Sequence, residues 1–196
     1  MSRWEDELVD PFLADVSEED VDRMASALER ELAEVTPAPS LRDALLSMAR
    51  TEGRFDRFAP VVAELLDVSE ARATELLDGI ARDEVWVDSP IPDVRLYHLE
   101  GGPKVAGAIT GFVRMPQGAV FPEHQHLGDE AVLVVQGSFE DGVSGRVYRA
   151  GDVVRMAAET SHDFRARPGP SLVYLVVLAE GLKIGEMVIG PYDPAM

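Results

Sequence analysis

The sequence predicts an α+β protein in which helices come first and antiparallel strands follow. Three observations carry this expectation. Of 16 glycines, only Gly53 and Gly79 precede position 100. In the first part, apolar residues recur at three- and four-residue steps, the spacing of one helix face. From Val85 onward, short valine-rich runs alternate with turn residues about every ten positions, as in an antiparallel sandwich or barrel. At 196 residues the chain is long enough for one domain and an appendage. The expected division is a helical N-terminal domain over 1–84 and a second domain over 85–196.

Ser17-Glu-Glu-Asp20 has the form of a helix start, a hydroxyl cap followed by acids that suit the positive end of the dipole. Val21, Met24, Ala25, Leu28, Leu32 and Val35 then form an amphipathic stripe, which Thr36-Pro37-Ala38-Pro39 ends. Ser40 is the expected cap of a second helix carrying Leu41, Leu45, Met48 and Ala49, stopped near Gly53. A third stripe runs from Phe55 through Phe58, Val62 and Leu65 to Leu66. A fourth begins at Ser69 and carries Ala73, Leu76, Leu77 and Ile80. Strands are expected around Val94–Leu99, Val105–Met115, Ala131–Val135, Val147–Tyr148, Val153–Val154 and Leu172–Leu178.

Composition narrows function. The chain holds 36 acidic and 18 basic residues, a net charge of −18. So acidic a protein repels phosphate backbones and anionic lipid, so neither nucleic acid nor membrane is an expected partner. The longest apolar run, Leu172–Ala179, falls far short of the roughly 20 residues of a membrane helix. No basic and then apolar segment opens the chain, so a cytoplasmic location is expected. Cysteine is absent, which removes disulfides, thiol nucleophiles and thiolate metal sites. The acid is concentrated early: residues 1–35 hold 12 acids and 3 bases. That acidic helical region is expected to offer a docking face to a basic protein partner, although charged faces are commonly only solvated.

The informative cluster lies in the strand region. Gly118 is followed by His124-Gln-His126, then Glu130, then Gly137, and farther on Gly151 precedes His162. In an extended segment, residues two apart point the same way, so His124 and His126 can present both imidazoles to one point. Glu130, across a Leu127-Gly128-Asp129 turn, can return a carboxylate to that point. His124, His126, Glu130 and His162 are therefore the expected ligands of one divalent metal ion per chain. The remaining histidine, His98, stands outside the set.

Gly118 to Gly137 resembles the first motif of the cupins, G-(x)5-H-x-H-(x)3-E-(x)6-G, with every fixed position filled. The second motif, G-(x)5-P-x-G-(x)2-H-(x)3-N, keeps Gly151 and His162, but Ala157, Glu159 and Ala166 replace its proline, glycine and asparagine. The resemblance implies an antiparallel β jelly-roll barrel with the metal held inside. More narrowly, His124 to Gly137, continuing through Ser138-Phe-Glu-Asp141 and Tyr148-Arg-Ala-Gly-Asp152 to Ser161-His162, is similar to the cupin-like domain of ChrR-type anti-sigma factors. In that family, an N-terminal domain holding zinc through histidine and cysteines grips a sigma factor. Here residues 1–97 contain neither His nor Cys, so no such zinc domain exists.

Nitrogen and oxygen donors of this kind suit Fe, Mn, Ni or Zn. In an octahedral metal, four protein ligands leave two adjacent positions for a small-molecule ligand; in tetrahedral zinc they close the shell. By strand alternation, Val132 and Val134 share the inward face of Glu130, and Phe164 and Ala166 that of His162. Tyr97, Arg114, Gln136 and Tyr174 are the candidate polar lining groups. Two functions fit these features: a regulatory or sensing protein, and a mononuclear metal enzyme such as an iron dioxygenase. A homodimer is expected from the sheet edges and apolar faces of a small jelly roll.

Overall fold

The structure, a computed structural model, describes residues 17, 20, 22–24, 26–27, 38, 40–41 and 53–191. The chain divides into two compact units, Met1–Leu45 and Leu46–Met196.

In the first unit, the Ser17 hydroxyl accepts a hydrogen bond from the Asp20 backbone N–H at 3.1 Å, and Asp20 Oδ2 accepts one from the Ser17 N–H at 3.2 Å. This reciprocal cap is the helix start expected at Ser17. Most of the two helices expected over Ser17–Val35 and Ser40–Ala49 lies outside the described residues. Met24 and Leu41, read as stripe residues, are exposed.

The second unit is built around two six-stranded sheets. The strands are β1 (Val87–Asp88), β2 (Arg95–His98), β3 (Ala108–Met115), β4 (Val120–His126), β5 (Glu130–Gln136), β6 (Ser138–Asp141), β7 (Val147–Arg149), β8 (Val153–Met156), β9 (Ser161–Ala166), β10 (Leu172–Ala179), β11 (Leu182–Ile184) and β12 (Met187–Ile189). One sheet has the order β1-β2-β3-β10-β5-β8, the other β12-β11-β4-β9-β6-β7. The ladders between them are antiparallel. The α+β jelly roll expected from the motif is thus present. The third strand is shorter than expected because a 3-10 turn, Pro103–Val105, precedes it. β1, β6, β11 and β12 were not expected. They are two to four residues long, too short for a periodic signal.

Two helices precede the strands, α1 (Ala59–Leu66) and α2 (Glu70–Gly79), and they belong to the same compact unit as the sheets. A 3-10 turn at Asp56–Phe58 leads into α1, whose first turn contains Pro60, and Asp67 closes it in a left-handed conformation. Ser69 caps α2 by accepting a hydrogen bond from Arg72 N at 3.2 Å. The helical stripes bury Val62, Leu66, Leu76 and Leu77 against the outward side chains Phe112, Leu133, Val135 and Leu175 of the first sheet. The opposite faces of the same strands send Val132, Val134, Tyr174 and Val176 into the barrel. β5 and β10 are therefore covered on both sides, which accounts for their unbroken apolar sequences. Burial of apolar surface at about 25 cal/mol per Å² stabilises both faces of these strands.

Gly137 makes the turn from β5 to β6 at φ +73°. A Cβ there would come within 2.9 Å of the Pro170 carbonyl oxygen, so the motif glycine is required on both counts.

Candidate metal centre

His124 and His126 lie on β4, and His162 lies opposite His124 on β9. The pairing slips by one residue between Phe121 and His124. Residues three apart in a regular strand face opposite sides, yet Phe121 and His124 are both buried. The bulge at Pro122-Glu123 produces this by re-aiming the strand. It also brings the Pro122 carbonyl 2.9 Å from His124 Nδ1. The alternation resumes at His126, which is fully buried.

One ring nitrogen from each of His124, His126 and His162 lies within 4.8 Å of the others. The other nitrogen of each ring is already engaged. His124 Nδ1 donates to the Pro122 carbonyl. His126 Nδ1 donates to Thr160 Oγ1 at 3.0 Å, because the Thr160 hydroxyl spends its own proton on the Ala157 carbonyl at 2.6 Å. His162 Nδ1 donates to Asp141 Oδ2 at 2.6 Å. These partners hold the proton on Nδ1 and leave the three Nε2 lone pairs to converge. His126 Nε2 and His162 Nε2 are buried without any hydrogen-bond partner. Buried polar atoms in native proteins are rarely left so. Three convergent imidazole nitrogens with no other use fit a divalent metal ion.

Glu130 approaches this set from the side of His126. Its Oε2 lies 3.3 Å from His126 Nε2, outside hydrogen-bond alignment. Gly128 permits the preceding turn, since a Cβ there would meet the Ala179 carbonyl oxygen at 2.4 Å. Asp129 anchors the same turn by accepting from Ala158 N at 3.1 Å. Among the described residues, the 4.8 Å cluster consists of the three histidines, with Glu130 beside it.

Electrostatics favours a neutral His124 ring and an ionised Asp141. Burial, with the neighbouring His162 and His126, pushes the His124 pKa down to about 4 against the opposing pull of the Pro122 carbonyl and Glu130. Burial pushes Asp141 up. Its hydrogen bonds from the Ser144 hydroxyl, His162 and the Ser144 N–H outweigh that, and the carboxyl lies below its ordinary range.

A cavity of about 60 Å³ opens beside the histidines inside the barrel. Val132, Phe139, Phe164, Val176 and Leu178 are among its walls. Val132, Val134, Phe164 and Ala166 face inward, as the alternation predicts. Of the candidate polar lining groups, Tyr174, in the barrel core, and Tyr97 line the cavity. Tyr97 also packs against Trp86 and Phe112. The other two serve the fold. Arg114 stacks over Trp86 at 4.0 Å and donates to the Ile80 carbonyl at 2.7 Å. Gln136 donates to the Ser171 carbonyl at 2.9 Å. His98 is exposed, outside the cluster.

Sequence reasoning assigned no role to Asp141 or Thr160. Asp141 stood within the quoted family likeness, but nothing in its spacing marks it as the partner of His162. The structure shows why the second motif favours glycine at position 159. Glu159 has φ +66°, the left-handed conformation for which the second motif uses glycine.

The fold and the inward histidines define a cupin barrel. A family model described as the ChrR cupin-like domain matches residues 80–180, more than half of the chain, and the protein belongs to that family. No curated protein matches the sequence. Similar solved structures include an RmlC-like cupin protein from Ralstonia eutropha, at 27% identity over 54% of this chain and 73% of that one, with a TM-score of 0.47. SigE in complex with the anti-sigma ChrR from Rhodobacter sphaeroides matches at 22% identity over 82% and 77%, with a TM-score of 0.45. An acetylacetone dioxygenase from Acinetobacter johnsonii matches at 17% identity over 55% and 80%, with a TM-score of 0.47. Among the described residues, no helix is long and apolar enough to cross a membrane.

Proposed function

We propose that this protein is a metal-binding regulatory cupin that senses a small molecule or oxidant in its barrel and answers through a protein partner. The observation that carries the reading is the set of three Nε2 lone pairs, each imidazole fixed by its Nδ1 hydrogen bond. In this reading His124, His126, Glu130 and His162 hold one divalent ion per chain. When bound, the ion would supply a Lewis-acidic centre. The chain's own residues do the rest. Pro122, Thr160 and Asp141 hold the rings in place, the apolar walls exclude water, and Glu130 offsets one of the two positive charges.

The functional division we propose keeps 85–196 as the metal-binding domain and 1–84 as the helical region, with α1 and α2 the part seated on the sheet. The partner expected is basic, because residues 1–84 carry 22 acids and 9 bases, a net of −13, whereas 85–196 carry 14 and 9, a net of −5. A homodimer belongs to the same reading. Val87 on β1, Val153 on β8 and Met187 and Val188 on β12 are exposed on strands at the edges of the sheets. Sedimentation at micromolar concentration tests it, and a monomer there rejects it.

A second reading, a mononuclear metal enzyme such as an iron dioxygenase, fits the same cavity, since a purely structural metal needs no adjoining space. Metal analysis of protein purified without oxygen separates the two. Tightly held iron with turnover of a small molecule supports the enzyme. One metal per chain without turnover, beside a neighbouring sigma-factor gene, supports the regulator. Protein that takes up no divalent metal rejects both.

A further inference from the structure

Among the described residues, no ladder joins β7 to β8. β7 lies at the edge of one sheet and β8 at the edge of the other, and the two leave the Ala150-Gly151 turn into different sheets. Met156 ends β8 at the point farthest from that turn, opposite Glu130 on β5. Outside this seam lies a pocket of about 300 Å³, whose walls include Asp141, Tyr148, Arg155, Met156, Thr160 and His162. Inside it lies the barrel cavity, which Glu130, Met156 and His162 also line.

Three side chains line both spaces: Phe139, Met156 and His162. Two of them are fixed. Phe139 is buried, with the rings of Tyr148 and Phe164 at centroid distances of 5.1 and 4.9 Å. His162 is held through Nδ1 by Asp141. Met156 is only half-buried where it packs against the barrel core. Its unbranched thioether chain turns about several bonds and adapts to the space around it. Met156 also lines a third space, the groove beside Asp129 and Glu130, and it is the one residue common to all three. The outer pocket has room for an ion with its waters, at roughly 30 Å³ per water. Glu130, across the ladder from Met156, supplies the negative charge that draws a cation inward.

Resting on the metal reading above, we propose that the divalent ion enters and leaves the barrel through the seam between β7 and β8, and that Met156 is the side chain that moves to let it pass. Met156 then sets how fast the centre exchanges metal without setting how tightly the metal is held. The far end of the cavity is the alternative entrance. There Ser89, Ile91 and Val94 separate it from another outer pocket, which no residue of the metal centre lines.

The test uses the full chain with Co(II), whose absorption reports binding, and records cobalt content and melting temperature for every sample. Stopped-flow mixing measures uptake, and excess chelator measures release. Met156→Ala is expected to speed both by about tenfold, so that their ratio, the affinity, is unchanged. Met156→Phe, which replaces the flexible chain by a stiffer and bulkier one, is expected to slow both, and it decides the matter should the alanine variant fail to fold. Ile91→Ala, at the far end, is expected to leave both rates as they are. Unchanged rates in the Met156 variants, or faster exchange in Ile91→Ala, overturns the proposal. So does a faster release without faster uptake, which would make Met156 a support of the site instead of its gate. Wild-type protein that takes up no cobalt is visible before any kinetics and overturns the metal reading itself.

Discussion

Asp141 Oδ2 accepts a hydrogen bond from His162 Nδ1 at 2.6 Å across 21 residues of sequence. The carboxylate is held in turn by the Ser144 N–H at 2.7 Å and the Ser144 hydroxyl at 2.6 Å, both on Oδ1. One oxygen therefore anchors a turn while the other sets the orientation and tautomer of His162. Asp141→Asn is expected to weaken metal binding by about 10–100-fold while His162 itself remains. Competition against a chelator of known affinity measures this, and unchanged affinity would show that Asp141 does not support the site.

His126 has no surface and no second partner for its Nε2. His126→Ala is expected to abolish metal uptake and His98→Ala to preserve it, as read by bound metal per chain. The opposite pattern would overturn the assignment of the site.

The metal-free protein is expected to lose stability as pH falls from about 6.5 toward 4. His124 has a folded-state pKa of about 4 because burial disfavours its charge, whereas the unfolded chain takes up that proton near the ordinary value of 6.5. Above 6.5 both states are neutral and the group contributes no pH dependence. Below it the unfolded state binds more protons, so unfolding becomes easier, by up to roughly 3 kcal/mol. Urea melts of chelator-treated protein at several pH values test this against His124→Gln, in which that part of the slope is expected to vanish.

Glu159 occupies a left-handed conformation at φ +66°, and its N–H donates to the His126 carbonyl at 2.9 Å. Glycine adopts this conformation without a Cβ penalty, at some cost in unfolded-state entropy. Glu159→Gly is expected to raise stability by up to about 1 kcal/mol. A lower urea midpoint in the variant would contradict the strain argument.

Removing metal is expected to leave α1 and α2 intact, because apolar contacts with the sheet hold them and no metal-binding residue lies in them. A chelator should preserve the helical circular-dichroism signal. Leu133→Ala, which opens the fully buried helix–sheet interface, should cost about 2–5 kcal/mol. Collapse of the helical signal on chelation would contradict this account.

Much of the protein was legible from local spacing. The period of the apolar residues marked α1 and α2, the unbroken runs marked β5 and β10, and the fixed intervals from Gly118 to Gly137 marked His124, His126 and Glu130. Each of these signals lies within a stretch short enough for backbone geometry alone to relate its members, so composition and spacing carry it. Local spacing could not decide which side chains meet across the barrel. The slip between Phe121 and His124 re-aims one strand to set His124 opposite His162. Asp141 and Thr160 reach the rings from other strands and turns, and Tyr174 faces the cavity while Arg114 and Gln136 bind backbone carbonyls elsewhere. Strand register and the pairing of distant segments depend on packing both faces of the first sheet at once, against helices on one side and the barrel interior on the other. Only the assembled tertiary structure imposes that condition.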